Sequence, residues 1–173
     1  MMNDKGFVHI YTGNGKGKTT AAIGLAVRAS GANKSVYIGQ FVKSMKYSEV
    51  KVLENIKNIT IEQFGEGCSL CDHFTEKDIN AANSGFNRVK EIINNGNFDV
   101  VILDEICIAL YYNLLDLIDV VNLVKQKTES LELILTGRYA PKELVDLADL
   151  VTNCSEVKHY YSKGVQSRRG IDC

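Results

Sequence analysis

The sequence TGNGKGKTT at Thr12–Thr20 follows the apolar run Phe7–Tyr11 and leads into a helical pattern that starts near Lys18. A strand that breaks into a glycine-rich loop, then Gly-Lys-Thr, and then a helix is the layout of a phosphate-binding P-loop. Glycines in such a loop let backbone N–H groups approach phosphate oxygens, and the dipole of the following helix favours negative charge at the same place. The stretch therefore predicts a nucleotide-phosphate site on an α/β fold.

Two side chains of this stretch have distinct chemistry. Lys18 places an ammonium group on the phosphate oxygens, and Thr19 offers a hydroxyl to Mg²⁺, which prefers oxygen ligands. The loop departs from the usual pattern at Thr12, where that pattern has its first glycine. A Gly- and Lys-rich surface turn without a ligand is the alternative, but the flanking strand and helix favour the P-loop.

The composition is that of one globular domain over residues 1–173. The net charge of −1 gives no reason to expect nucleic acid or an anionic membrane as a partner. No apolar stretch approaches the roughly 18 residues needed to span a bilayer, and the N-terminal sequence does not resemble a signal peptide. The chain has five cysteines, an odd number that favours reduced thiols over disulfides. We therefore expect a cytoplasmic protein.

Strand-like and helix-like patterns alternate along the chain. Strands are predicted at Gly6–Tyr11, Ser35–Phe41, Ile59–Phe64, Phe98–Asp104, Leu131–Thr136 and Leu150–Cys154. Helices are predicted at Lys18–Ser30, Thr75–Asn95, Asp116–Lys127 and Pro141–Leu147. The runs VVIL and LILT are nearly continuous and apolar, which is typical of parallel strands covered on both faces. The alternation predicts a single-domain, P-loop NTPase-like α/β fold, with an open, mostly parallel sheet and helices on both faces.

A second motif, DVVILDE at Asp99–Glu105, places two carboxylates at the carboxyl end of an apolar strand. Ligands on open α/β sheets bind at this end of the strands, which is also where the P-loop follows the first strand. Asp104 is suited to hold Mg²⁺ through water opposite Thr19, and Glu105 is suited to bind the metal directly or to position a water molecule. A solvated acidic turn is the alternative. Together with the P-loop, the motif favours a nucleoside triphosphate site.

Six segments along the chain form a recognisable series: TGNGKGKTTAAIGLAVRASG, QFVKS, VVILDEI, LTGRYAPKELVDLADLVT, VKH and the terminal GID. In this order they resemble the P-loop type of corrinoid adenosyltransferase, from Val8 to Asp172. The resemblance implies transfer of the 5′-deoxyadenosyl group of ATP to the cobalt of a reduced corrinoid, with triphosphate as the leaving group. It also implies Mg²⁺ or Mn²⁺ as cofactor and a homodimer. A reductase and an adenosylcobalamin-dependent acceptor enzyme are the protein partners that fit this activity.

The resemblance also assigns roles to single positions. The phosphate loop corresponds to Gly13, Asn14, Gly15, Lys16, Gly17, Lys18 and Thr19, and Thr20 extends it. Lys43 in QFVKS matches a lysine of the family, and Arg138 in TGR matches an arginine near the phosphates that can form paired hydrogen bonds to oxyanions. The catalytic candidates are Lys18, Glu105 and Arg138, and the metal-ligand candidates are Thr19, Asp104 and Glu105. No general base is expected, because reduced cobalt is itself the nucleophile.

The sequence departs from the family at Gly65–Cys71, which reads GEGCSLC. Cys68 and Leu70 stand where the best-studied bacterial members have two aromatic residues that help to displace the lower axial base of the corrinoid. The chain contains no Trp. We therefore expect this protein to interact differently with the lower face of the corrinoid, where the axial base is displaced, with Leu70, Phe64 or Phe74 as sources of apolar bulk.

The sequence leaves several alternatives open. Cys68, Cys71 and His73 form half of a zinc site, with ordinary loop cysteines as the alternative interpretation. Lys158 and His159 match the VKH element of the family, either in a structural role or in contact with a ligand. An ATPase or kinase, and a non-catalytic nucleotide- or corrinoid-binding carrier, are the alternatives to the transferase.

Overall fold

A parallel β-sheet forms the centre of the protein. The structure, a computed structural model, describes residues 5–65 and 74–172. The strands are β1 (Val8–Thr12), β2 (Val36–Phe41), β3 (Ile59–Phe64), β4 (Val100–Asp104), β5 (Glu132–Thr136) and β6 (Leu150–Asn153). Within the described residues these six strands make one open sheet in the order β3-β2-β4-β5-β1-β6, and all of its pairings are parallel.

Helices connect the strands. They are α1 (Lys18–Gly31), α2 (Ser48–Leu53), α3 (Glu76–Asn95), α4 (Ile106–Tyr111), α5 (Leu117–Gln126) and α6 (Lys142–Leu147), followed by a 3₁₀ turn at Tyr160–Lys163. Helix α3 begins with a capping box, in which the Asp78 carboxylate accepts a 2.8 Å hydrogen bond from the backbone N–H of Thr75. It ends at Gly96, which takes the left-handed conformation typical of a C-cap.

The two faces of the sheet carry separate apolar cores, because side chains alternate across a strand. In β4, Val100 and Ile102 pack in the core that contains the buried alanines of α1. Val101 and Leu103 pack on the opposite face, in the larger core that contains the buried side chains of α3, α4 and α5. Every residue of β4 is therefore buried. This arrangement confirms the predicted α/β sheet with helices on both faces.

The predicted elements agree closely with the structure. Each of the six predicted strands is present within two residues of its expected bounds, and so are the four predicted helices. Helices α2 and α4 and the 3₁₀ turn were not predicted. With only 6 residues each, α2 and α4 are too short to show a helical period, and the α4 sequence ICIALY continues the apolar run of β4. In the described part of the chain, no helix is long and apolar enough to cross a membrane.

The register of the strands brings polar residues together at one edge of the sheet. Gln40, near the end of β2, lies opposite Asp104 at the end of β4. Thr136 ends β5 and lies opposite Tyr11 of β1, one residue before the P-loop begins. Because all these strands are parallel, their carboxyl ends open into the same crevice, which is where open α/β sheets bind ligands.

Candidate nucleotide and metal site

The glycine-rich loop that the sequence predicts to be a P-loop lies against the backbone that follows β6. The Gly15 N–H donates a 2.7 Å hydrogen bond to the Cys154 carbonyl. A Cβ atom at Gly15 would stand 2.6 Å from that carbonyl oxygen, and a Cβ atom at Gly13 would stand 2.1 Å from Oδ1 of Asn153. Gly13 also has a φ of 99°, which side-chain-bearing residues rarely adopt. Gly13 and Gly15 are therefore required by their close approach to Asn153 and Cys154 at the end of β6.

Lys18 and Thr19 are the first two residues of α1 and follow the loop directly. Lys18 is only 7 % exposed, and its Nζ donates a 2.7 Å hydrogen bond to the Gly15 carbonyl, so its ammonium lies within the loop. Burial lowers the pKa of Lys18; the negative charge of Glu105 opposes this shift, and the positive charge of Arg138 adds to it. The Thr19 hydroxyl donates a 2.9 Å hydrogen bond to Oδ1 of Asp104. This contact joins the P-loop helix to the acidic motif.

Asp104 is the centre of a buried polar network. Its Oδ1 accepts hydrogen bonds from Thr19 and from the Thr136 hydroxyl at 2.7 Å, and its Oδ2 accepts from Gln40 Nε2 at 3.0 Å and Lys43 Nζ at 2.7 Å. The residue is 1 % exposed. Burial opposes ionisation of this carboxyl, but the charge of Lys43 and the hydrogen bonds from its neighbours hold its pKa below the usual value. Asp104 is thus an anion that four side chains stabilise, from α1, β2, β5 and the loop after β2.

Lys43 is the main counter-charge of this network. Burial opposes its charge, but the Asp104 carboxylate offsets that effect and raises the pKa of Lys43. Glu105, the next residue along the chain, behaves in the opposite way: burial and the adjacent charge of Asp104 raise the pKa of its carboxyl. The pKa values of the two neighbouring carboxyls are therefore shifted in opposite directions, that of Asp104 downward and that of Glu105 upward.

The donor set at this point fits a hard divalent cation. A hydroxyl that donates its proton to Asp104 still presents oxygen lone pairs on Thr19, and Asp104 and Glu105 add carboxylate oxygens. Over residues 5–65 and 74–172, no group of three His, Cys, Asp or Glu side chains is arranged to hold a metal ion. A metal at this site would therefore depend on the threonine hydroxyl and on ligands from water or phosphate as well as on the carboxylates.

Three non-glycine residues beside the site have a backbone in the left-handed region. They are Val42, Glu105 and Tyr139, with φ of 59°, 59° and 60°. Each adjoins a candidate site residue, since Val42 precedes Lys43 and Tyr139 follows Arg138. Such conformations cost about 1–3 kcal/mol each and are found where the surrounding structure imposes them, often at functional sites. The strain at the ends of β2, β4 and β5 thus coincides with the edge that carries the site.

The remaining candidates from the sequence lie around this centre. Arg138 is exposed, and its positive charge acts to lower the pKa of both Lys18 and Glu105. Asn14 and Thr20 are exposed. Lys16 is also exposed, but its ammonium is directed to Tyr160, Ile171 and Asp172.

Sequence reasoning missed two residues of the network, Gln40 and Thr136. Both are polar residues near the ends of otherwise apolar strands, which is the signal that would have identified them. Gln40 is itself oriented by Gln63, whose Nε2 donates a 3.0 Å hydrogen bond to its Oε1. The substituted family motif and the proposed zinc ligands, Cys68, Leu70, Cys71 and His73, lie outside the described residues.

His159 has a local structural contact. Its Nδ1 accepts a 3.1 Å hydrogen bond from the Tyr161 N–H and so caps the 3₁₀ turn at Tyr160–Lys163. Lys158, the preceding residue, is exposed. This geometry supports the structural interpretation for His159.

Comparison with known proteins gives a consistent result. A family model described as ATP:corrinoid adenosyltransferase BtuR/CobO/CobP matches residues 4–173. The chain is 32% identical over 170 residues to the corrinoid adenosyltransferase of Escherichia coli K12, covering 98% of this chain and 87% of that protein. It is 32% identical over 169 residues to corrinoid adenosyltransferase CobA of Salmonella typhimurium LT2, with 98% and 86% covered. A corrinoid adenosyltransferase of a Sinorhizobium species is also 32% identical, over 181 residues, with 98% and 81% covered. The chain therefore belongs to the ATP:corrinoid adenosyltransferase family.

Proposed function

We propose that the protein transfers the 5′-deoxyadenosyl group of ATP to the cobalt of a reduced corrinoid and releases triphosphate. The observation that carries this proposal is the hydrogen bond between Thr19 of the P-loop helix and Asp104 of the acidic motif, in a chain of this family. That contact brings a phosphate-binding loop and a pair of carboxylates to one crevice, as a site for a metal-bound triphosphate requires.

The chemistry needs a stabilised leaving group more than it needs proton transfer. The cobalt(I) lone pair forms the cobalt–carbon bond at C5′, and the C5′–O bond breaks with its electron pair passing to triphosphate. Cobalt(I) has no proton to lose, so a general base has no part in this step. The protein must hold the reacting atoms in line and neutralise the departing polyanion.

Lys18, the loop N–H groups and Arg138 are suited to that neutralisation. Lys18 lies in the loop, and Arg138 is close enough for its charge to affect Lys18. We assign Mg²⁺, or Mn²⁺ in its place, to Thr19, Asp104 and Glu105. Such an ion would add positive charge at the triphosphate oxygens. Lys43 would hold Asp104 ionised and correctly oriented, as their 2.7 Å contact indicates.

A direct test is an anaerobic reaction with ATP, Mg²⁺ and a chemically reduced corrinoid. We expect the visible spectrum to change to that of an adenosylated corrinoid, because Lys18, the loop N–H groups and a cation on Thr19, Asp104 and Glu105 would together stabilise the leaving triphosphate. Omission of ATP or of the divalent cation should abolish the change. Binding of ATP and corrinoid without a spectral change would contradict the transferase and favour a carrier.

The assembly and partners of the protein are further parts of this proposal. The resemblance to the family supports a homodimer, a cytoplasmic location and delivery of product to an adenosylcobalamin-dependent enzyme. A reductase is implied because the nucleophile is cobalt(I). The described cysteines Cys107 and Cys154 are free thiols, which is compatible with a reducing compartment.

Substrate preference should follow from Cys68 and Leu70. An axial nitrogen base makes cobalt(II) harder to reduce, and its displacement requires rigid apolar bulk beneath the corrin ring. The described aromatics on either side of this segment already have partners, since Phe64 packs on Phe41 and Phe74 packs on Tyr112, with ring centroids 5.5 Å and 4.7 Å apart. We therefore expect the enzyme to favour base-free corrinoids over cobalamin when the reaction starts from cobalt(II).

The experiment compares rates from cobalt(II) and from pre-reduced cobalt(I) for both corrinoids. Because the base has already left cobalt(I), the two substrates should then react at similar rates. The double variant Cys68→Phe/Leu70→Trp should reduce the difference in rate between base-free corrinoids and cobalamin when the reaction starts from cobalt(II). If the unmodified enzyme reacts with the two corrinoids at equal rates from cobalt(II) as well as from cobalt(I), other residues displace the base.

A further inference from the structure

Lys16 of the P-loop is bound by the last part of the described chain. Its ammonium donates hydrogen bonds to the Tyr160 hydroxyl at 2.9 Å, to the Ile171 carbonyl at 2.7 Å and to the Asp172 carboxylate. An ammonium group has three hydrogens, so these contacts use its full donor capacity. In this geometry Lys16 therefore has no donor left for a phosphate oxygen.

Asp172 is the residue that organises this contact. Its side chain is 12% exposed although it lies near the end of the chain. Oδ1 accepts from Lys16 and from the Tyr160 hydroxyl, and Oδ2 accepts from the backbone N–H and the Nε of Arg168, both at 3.1 Å. The Arg168 guanidinium also lies 4.7 Å from the centre of the Tyr160 ring. The hydrogen bonds from Lys16, Tyr160 and Arg168 hold the pKa of Asp172 well below its usual range. Asp172 is thus an anion with a fixed position.

These contacts restrict the conformation of the loop at Gly15 and Lys16. The Gly15 N–H is bound to the Cys154 carbonyl, and the next side chain along the loop is bound to Asp172. A loop with several glycines has many conformations to lose when it closes on a ligand. Contacts that already restrict the loop remove part of that entropic cost from nucleotide binding.

From this geometry we propose that Asp172 is a positioning residue for the P-loop, which acts through Lys16 to hold the loop ready for triphosphate before ATP binds. The inference depends on the proposed function for one point, the identity of the nucleotide as ATP. It differs from the assignment of Lys16 as a phosphate ligand, because it gives the lysine a structural partner within the protein. The two assignments make opposite predictions for the removal of Asp172.

The test is a double-mutant cycle on direct ATP binding, measured by calorimetry with Mg²⁺ present and no corrinoid. Lys16→Ala and Asp172→Ala should each raise the Kd for ATP about 5- to 10-fold, since each releases the same contact. The double variant should bind no more weakly than either single variant. In the full reaction, KM for ATP should rise by a similar factor while kcat changes less than about twofold.

The control is Asp146→Ala, which removes an exposed carboxylate paired with Lys142 on α6 and should leave the Kd for ATP unchanged. Tyr160→Phe deletes one acceptor of Lys16 with little loss of volume and should raise the Kd about twofold. This milder variant keeps the test valid if Asp172→Ala fails to fold.

Two outcomes would overturn the inference. Tighter ATP binding by Asp172→Ala would show that the carboxylate competes with triphosphate for Lys16. If the factors by which the two single variants raise the Kd for ATP multiply in the double variant, Lys16 and Asp172 act independently. Since calorimetry needs no adenosyl transfer, either result is distinct from a failure of the proposed activity.

Discussion

Replacement of Lys18 by methionine is expected to lower kcat/KM for ATP about 10²- to 10³-fold, which corresponds to about 2.7–4 kcal/mol of lost transition-state stabilisation. The lysine is 7 % exposed within the loop, where a charge acts on a leaving triphosphate with little screening by water. Both kcat and ATP affinity should fall, because the proposed role gives the ammonium contact with the triphosphate both when it is bound and as it leaves. Corrinoid affinity should change little.

Steady-state kinetics under anaerobic conditions would measure this effect. Methionine keeps most of the volume of lysine and removes a buried charge, so the thermal unfolding temperature should not fall. Lys34→Met, at an exposed lysine beyond the other end of α1, is the matched control and should be fully active. Near-normal turnover of Lys18→Met would remove the P-loop from the mechanism.

The second large effect is expected from Asp104→Asn. The substitution keeps the shape of the side chain but removes the anion that holds Lys43, Gln40, Thr19 and Thr136 together. Loss of one partner of a buried ion pair costs about 3–5 kcal/mol of stability, because the other charge is left uncompensated. Activity should fall at least about 10²-fold, and the Mg²⁺ concentration for half-maximal activity should rise by about 10-fold or more.

Stability and catalysis can be separated with a compensating change. The double variant Asp104→Asn/Lys43→Met lacks the uncompensated cation, so it should regain much of the lost unfolding free energy in denaturant titrations. It should not regain activity. Asp99→Asn, one residue before the other end of the same strand and bound to Ser35, is the control and should retain normal activity. Full activity of Asp104→Asn at low Mg²⁺ would exclude this carboxylate from the metal site.

The sequence was sufficient to predict the sheet because local patterns encode it. The runs VVIL and LILT give continuous burial on both faces, and Gly96 and the Thr75–Asp78 pair mark the ends of α3. Helix α4 could not be predicted, because its 6 residues continue an apolar run without a period of their own. The prediction therefore succeeded where an element was long or bounded by capping residues.

The site was predictable only in part, for a similar reason. Thr19 and Asp104 were identified because each belongs to a local motif at a strand end. Two of the partners that stabilise Asp104, Gln40 and Thr136, come from two other strands, and nothing in the local sequence pairs them with it. The contact between Lys16 and Asp172 spans 156 residues, and although each belongs to a segment noted in the sequence, nothing in the sequence pairs them. Only the fold brings them together.

The most direct test of the proposed function is the identity of the phosphorus product in the anaerobic reaction. Phosphorus NMR of the quenched mixture, together with the visible spectrum, gives the ratio of triphosphate released to cobalt–carbon bonds formed. Attack at C5′ predicts one triphosphate for each adenosylated corrinoid, with no ADP. ADP and inorganic phosphate without a cobalt–carbon bond would contradict it and would identify the protein as an ATPase.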